Sequence, residues 1–265
     1  MYNYKNCPFC SDENFIKYGR YKNIQRYKCK NCNKTFSDST NSVWCNSKKA
    51  SNYWYEYCFL MFSGNSIRAC ASKLHISIST SFKWRHKVLN KLPNCNDNIS
   101  LYNYIGLKHI QFLESFKGQK VLPLNLVNVP RKKVFVSIII NEKNISFSRI
   151  ISKGMLYQPI SFSILNKKIN YNSKVIGFSD RYSPAIARRL NKYLMNLKEC
   201  SDIKKINLKD LLYAFSSQLK SWLGLFKGVA TKYLDAYLDW FVHVFENSFE
   251  NKVMTSKIIN AIFCS

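Results

Sequence analysis

Two short cysteine pairs stand near the start of the sequence, Cys7-Pro-Phe-Cys10 and Cys29-Lys-Asn-Cys32, with eighteen residues between them. A pair spaced this way presents two thiolates from one tight turn, and two such turns converge naturally on a tetrahedral Zn²⁺ with Zn–S bonds of roughly 2.3 Å. A redox CxxC would sit beside a thioredoxin-like βαβ pattern, whereas these pairs flank aromatic and basic residues. The spacing therefore predicts a structural zinc on Cys7, Cys10, Cys29 and Cys32, holding together a ribbon-like module over residues 1–40 that is too small for a core of its own. Cys45, Cys58, Cys70, Cys95, Cys200 and Cys264 stand alone and read as small core hydrophobes.

A second group of side chains suits nucleic acid. Ser79, Thr80, Lys83, Trp84, Arg85 and Lys87 fall on a segment of helical periodicity, mixing hydroxyls that read base edges with cations that pair phosphates. The elements that position them lie in residues 48–93. An amphipathic helix carries Tyr53, Trp54, Tyr57, Cys58 and Met61, and a second starts at Ser66 as N-cap and places Ile67, Cys70, Ala71 and Leu74 on one face. After a turn at His75–Ile78 a third helix carries Phe82, Arg85, Leu89 and Leu92 as its stripe, giving a helix-turn-helix. His75, His86 and His243 have no spaced partner and read as surface or capping residues.

Composition supports such a partner. The 265 residues hold 41 Lys plus Arg against 15 Asp plus Glu, a formal charge of +26, well beyond what solubility requires. The basic residues are mostly lysine, which A/T-rich coding would favour, but that bias does not account for the scarcity of acids. Aromatics at 15% argue against disorder. The longest uncharged apolar stretch, Val134–Ile140, is far short of a membrane span, and no basic-then-apolar leader opens the sequence. The expectation is a reducing, cytoplasmic and nucleoid-associated setting, double-stranded DNA as partner and no membrane.

Beyond Asn98 the texture changes to strands at Leu101–Phe112, Lys133–Ile140, Ile145–Ile151 and Val175–Ser179, then helices at Pro184–Leu197, Ala214–Phe226 and Tyr233–Phe245. This is an α/β domain over residues 100–245, with residues 246–265 as a C-terminal extension. Asp235 and Asp239, four apart among Leu234, Leu238 and Phe241, read as a solvated helix face.

Several blocks in order, CPFC, YKCKNCNKTFSDST, SIRACASKLHISISTSFKWRHKVLNKL, LESFKGQK and LKSWLGLFKGVATKYLDAYLDWF, resemble bacterial insertion-sequence transposases built from an N-terminal zinc ribbon, a helix-turn-helix and a DDE catalytic domain of RNase H-like, mixed-sheet fold. The resemblance spans nearly the whole chain and implies DNA transposition, in which carboxylates hold two divalent metals about 4 Å apart. It also implies which positions should carry them. An Asp-Glu pair in the strand before LESFKG falls on Lys108 and His109, the second carboxylate falls on Asp180, and the third site falls on Tyr213 and Ser216. Only Asp180 remains an acid.

A lysine at the first position brings an ammonium to where Mg²⁺ would sit, and like charges repel in a partly desolvated site. The reading is thus a transposase-like DNA-binding protein that holds element terminal repeats, as a possible homo-oligomer, with impaired catalysis. Zn²⁺ is the structural cofactor, and Mg²⁺ enters only if catalysis survives. One alternative is an active DDE enzyme in which displaced acids, Glu114 or Asp210, join Asp180. Another is a zinc-ribbon regulator that binds without cutting, and a decayed remnant is a fourth outcome.

Overall fold

A computed structural model of the chain describes residues 5–21, 24–92, 100–117, 130–156, 158–178, 182–194, 200–226 and 228–246. They fall into two compact units, residues 5–92 and residues 100–246. Among the described residues no helix is long and apolar enough to cross a membrane. The expected C-terminal extension lies outside them, apart from Glu246.

The first unit opens with a three-stranded antiparallel sheet of β1 (Phe15–Tyr21), β2 (Ile24–Cys29) and β3 (Thr35–Ser37), in the order β1-β2-β3. Strand alternation turns Phe15, Tyr27 and Phe36 to one side, where their rings meet at 5.2 to 5.5 Å and pack on Cys7, Cys29 and Cys32. The cysteine turns and this aromatic triplet thus form one small cluster. The sequence reading contained no strands in this module.

Three helices follow: α1 (Ser51–Phe62), α2 (Ile67–Lys73) and α3 (Ile78–Leu89). Their N-caps are local and legible. Ser66 Oγ accepts from Ala69 N at 3.1 Å, and Ser77 Oγ accepts from Thr80 N at 3.0 Å, satisfying first-turn donors of α2 and α3. His75 takes a positive φ of 49° in the turn between them. Trp54, Tyr57, Cys58 and Met61 of α1 are buried, as are Cys70, Ala71 and Leu74. The stripe expected on the third helix differs: Phe82 is exposed, and Ser81, Trp84, Arg85, Val88 and Leu89 face inward. The tyrosine hydroxyl of Tyr57 donates to Ser81 O at 2.5 Å, so a serine occupies the apolar stripe because its polar groups are met there.

The second unit is a mixed α/β structure. Strands β4 (Leu101–Leu113), β5 (Lys133–Asn141) and β6 (Ser146–Lys153) run antiparallel, and β7 (Ile169–Gly177) joins β4 in parallel, giving the order β6-β5-β4-β7. A parallel neighbour needs a crossover, supplied by α4 (Gln158–Asn166), a helix absent from the sequence reading. Helix α5 (Ser183–Asn191) follows β7, and α6 (Asp202–Gly224) and α7 (Leu234–Glu246) complete the fold, with a 3₁₀ turn at Thr231–Tyr233 before α7.

The central strands are buried on both faces, so they read as apolar runs. One face carries Ile110, Val134, Val136, Ile138 and Ile140 against Leu212, Phe215 and Leu219 of α6 and Leu238, Phe241 and Phe245 of α7. The other carries Ile105, Leu107, Ile139 and Val175 against Leu165 of α4 and Ile186 and Leu190 of α5. Gly106 lets α6 approach β4 closely, since a Cβ there would lie 2.8 Å from Leu212 Cδ1. Seven helices and two sheets make up the described residues.

Helix α7 corrects the sequence reading of its acids. Asp235 accepts from Ile150 N at 2.8 Å, Asp239 pairs with Arg149 at 3.3 Å, and Glu246 accepts from Ser146 N at 2.6 Å and Ser146 Oγ at 3.1 Å. These carboxylates do not form a solvated face. Asp235 and Glu246 cover backbone N–H groups of β6, the edge strand, which would otherwise template further pairing, while Asp239 pairs with a side chain of the same strand. Burial pushes the carboxyls of Asp235 and Glu246 above the usual range, partly offset by the backbone N–H groups they accept from.

Candidate functional site

The four paired cysteines converge. Cys7 Sγ lies 3.7 Å from Cys32 Sγ and Cys10 Sγ lies 3.6 Å from Cys29 Sγ, with all four sulfurs within 4.8 Å of one another. A tetrahedron with Zn–S bonds of roughly 2.3 Å has sulfur–sulfur edges of about 3.8 Å, so the donor set and its spacing fit zinc. The two turns are built alike. Cys7 N donates to Asp12 O and Cys29 N to Lys34 O, five residues on in each case, and the residue after each second cysteine, Ser11 or Asn33, takes a positive φ of 59° or 58°. Serine and asparagine tolerate that conformation without glycine. Burial opposes ionisation of Cys7, but backbone hydrogen bonds at Phe9 and Cys10 together with the thiols of Cys10 and Cys32 outweigh it and lower its pKa, whereas the neighbouring sulfurs push Cys10 upward, so the crowded set favours a first thiolate and resists the next. Of the solitary cysteines, Cys58, Cys70 and Cys200 are buried, Cys45 is half-buried, and Cys95 and Cys264 lie outside the described residues.

Helix α3 divides the expected DNA contacts. Ser79 and Lys83 face solvent and Thr80 is half-exposed, its hydroxyl 2.8 Å from the capping Ser77 Oγ. Trp84 and Arg85 are turned inward instead. The Trp84 ring stacks on Trp54 at 4.0 Å, and the fully buried Arg85 donates from Nη2 to Asn65 O at 2.6 Å and lies 3.9 Å from Cys70 Sγ. Lys87 Nζ donates to Cys45 O at 2.6 Å and lies 5.3 Å from the Trp54 ring centroid. These three side chains tie the helices together and join the chain after β3 to α3.

On the second unit, the positions assigned to the first and third carboxylates meet. Lys108 of β4, only 9% exposed, places Nζ 3.8 Å from the ring centroid of Tyr213 on α6. The ring face accepts an ammonium that is largely out of water. One turn on, Ser216 is buried and its hydroxyl donates back to Leu212 O at 2.5 Å. His109 points to the opposite face of the sheet, because neighbours on a strand alternate, and its Nδ1 lies 2.7 Å from Ser183 Oγ at the start of α5. Phe178 N donates to Leu107 O, so the chain leaves β7 beside Lys108. Asp180 follows and lies outside the described residues.

Of the acids proposed as substitutes, Glu114 pairs with Lys153 at 3.5 Å, and Asp210 is exposed on α6 one turn before Tyr213. Among the described residues the only group of three or more Cys, His, Asp or Glu able to share an ion is the cysteine set. Two sequence blocks are joined here, since Ser115 N donates to Thr231 Oγ1 at 2.8 Å and Thr231 N to Ser115 O at 2.9 Å. The remaining histidines divide: His75 is exposed, His86 is half-exposed against the Phe82 ring at 4.4 Å, and His243 is largely buried, which lowers its pKa.

The chain is 34% identical over 87 residues to a protein described as an uncharacterized protein in transposable element ISH50 of Halobacterium salinarum, a match covering 32% of this chain and 30% of that one. The match therefore spans about a third of each protein. No family model matches the chain, and no solved structure does.

Proposed function

We propose that the protein is a transposase-like DNA-binding protein of an insertion sequence that holds DNA ends without cutting them. The observation that carries this reading is the Lys108–Tyr213 pair. Where the resemblance calls for two metal-binding carboxylates, an ammonium stacks on an aromatic ring at 3.8 Å. Oxygen ligands are what Mg²⁺ requires, and a fixed cation beside them opposes its entry.

Other features support the same lineage. Three antiparallel strands with a fourth parallel to the first, helices on both faces, and first and third carboxylate positions on β4 and α6 suit an RNase H-like domain of the DDE type. The cysteine cluster on a small antiparallel sheet suits a zinc ribbon, and α2 and α3 suit a helix-turn-helix. Zinc bound by Cys7, Cys10, Cys29 and Cys32 would cross-link the two turns and fix the sheet. Ser79, Thr80 and Lys83 are then the α3 side chains that meet DNA, backed by the +26 charge.

The reading is tested by incubating the zinc-loaded protein with labelled ends of the element and Mg²⁺ or Mn²⁺, scoring mobility shift and strand cleavage separately. A shift that weakens steeply with salt, with no cleaved product, is expected. Cleavage abolished by Asp180→Ala establishes the active enzyme instead. No shift at any salt concentration removes DNA binding altogether.

A further inference from the structure

Beside the cysteine cluster, a cavity of about 370 Å³ lies along β2 and β3 and the chain that follows them. Its lining includes Tyr21, Arg26, Ser37, Thr40, Trp44 and Asn46, and no carboxylate. Such a volume is at the small end of the range for ligand pockets. We propose that it takes one unpaired nucleotide at a DNA end, an inference that rests on the DNA-binding reading above and gives it a specific ligand.

The strand period builds the surface. On β2, Tyr27 and Cys29 turn inward to the aromatic and cysteine cluster, which leaves Arg26 and Lys28 on the outer face. The register places Arg26 opposite Ser37 and Lys28 opposite Thr35, so cations and hydroxyls stand side by side. On the neighbouring strand the half-exposed ring of Tyr18 lies 5.7 Å from both the Arg26 guanidinium carbon and Lys28 Nζ. Arg26 belongs to this cation-and-ring group and also lines the cavity, making the two one continuous surface.

Each part of a nucleotide has a counterpart. Arg26 and Lys28 suit the phosphate. Tyr21, 62% exposed, and Trp44 offer ring faces to a base. The amide of Asn46 suits a base edge, while the hydroxyls of Ser37 and Thr40 are engaged in the loop's own bonds, Thr40 Oγ1 accepting from Ser37 N at 2.8 Å and Ser37 Oγ lying 3.0 Å from Ser39 Oγ. A base inside a duplex is stacked and paired and cannot enter, so the ligand is an unpaired one. An acidic peptide would use the cations but leave the rings without a stacking partner.

The test titrates the zinc-loaded full chain with three DNAs of one sequence: a blunt duplex, the same duplex with a two-nucleotide single-stranded overhang, and the single strand alone. The overhang duplex is expected to bind roughly ten-fold tighter than the blunt one, the gain typical of stacking one base on an aromatic side chain. Tyr21→Ala, a change at an exposed position, should erase that gain while blunt-duplex affinity and zinc content stay unchanged. The overhang should also quench tryptophan fluorescence in wild type, an effect lost in Trp44→Phe. Equal affinity for blunt and overhang duplexes overturns the pocket and leaves DNA binding standing. Displacement of the overhang DNA from the pocket by an acidic peptide at equal concentration also overturns it, and failure to bind any of the three DNAs overturns both readings.

Discussion

The contact between Lys108 and Tyr213 makes a quantitative prediction. Lys108→Met keeps an unbranched apolar stem at a position only 9% exposed and removes the charge, while Tyr213→Leu keeps apolar volume on α6 and removes the ring. Cation–ring contacts are worth about 0.5–1 kcal/mol at exposed sites and about 2 kcal/mol or more when desolvated. Here the ammonium is largely buried but the ring is 46% exposed. The contact should therefore lie between these limits, at about 1–1.5 kcal/mol. The assay is a double-mutant cycle on urea unfolding of the second unit's transition, followed by circular dichroism with m held common. The coupling between the two changes should reach about 1 kcal/mol or more, which corresponds to a shift of roughly 2–4 °C in a domain of this size. Additivity to within about 0.3 kcal/mol would refute the argument that the ring stabilises the Lys108 ammonium.

Three further outcomes follow from the same physical reasoning. Purified protein should hold one zinc per chain by elemental analysis, and Cys29→Ser, which replaces a buried sulfur of the cluster, should lose it together with cooperative melting of residues 5–40. Arg85→Ala should cost about 2–4 kcal/mol by leaving a cavity and an unpaired carbonyl at Asn65, whereas Lys83→Ala should change stability by under about 0.5 kcal/mol and weaken DNA binding. Asp235 and Glu246 have folded-state pKa values raised by burial, so their contribution to stability is fully present below their unfolded values and is lost as pH rises through the folded ones. The double variant Asp235→Asn, Glu246→Gln should flatten that decline in urea midpoints measured from acid pH to neutrality.

Much of the architecture was legible because single residues announce it. The two CxxC turns specified a four-sulfur cluster, Ser66 specified a helix start, and the Ile-, Val- and Phe-rich runs specified the strands β4, β5 and β6. The start of α6 was less visible. Lysines and acids interleave its first three turns, and Leu208 and Leu212 make a stripe only when the helix is followed as far as Phe215 and Leu219. Helix α4 carries no charge contrast across its faces, so its periodicity is weak. The expected stripe of α3 was right at Arg85, Leu89 and Leu92 but took Phe82 in place of Ser81, Trp84 and Val88. Ser81 was passed over as polar, although Tyr57 satisfies it, and Arg85 stood both on the stripe and among the DNA contacts until its bond to Asn65 O placed it inside. The acids of α7 were hidden for the opposite reason: neither the edge-strand amide that Asp235 caps nor the distant Arg149 that Asp239 meets leaves a mark beside them in the sequence, so both look solvated.

At two positions where the resemblance implies metal-binding carboxylates, the structure brings a lysine and a tyrosine together. Lys108 and Tyr213 are 105 positions apart in the chain and meet where α6 packs on β4, close to Gly106. His109, its neighbour, serves the other face by bonding Ser183. The two substitutions thus have separate structural consequences, one beneath α6 and one at the start of α5.

The central claim concerns divalent ions, so Mn²⁺ binding by the wild-type protein on a DNA end, followed by electron paramagnetic resonance, tests it most directly. The expected result is no ordered Mn²⁺ signal that depends on Asp180, and the appearance of one when Lys108→Asp and Tyr213→Glu are introduced together. A pair of coupled Mn²⁺ ions in the unmodified protein, lost on Asp180→Ala, would contradict the claim.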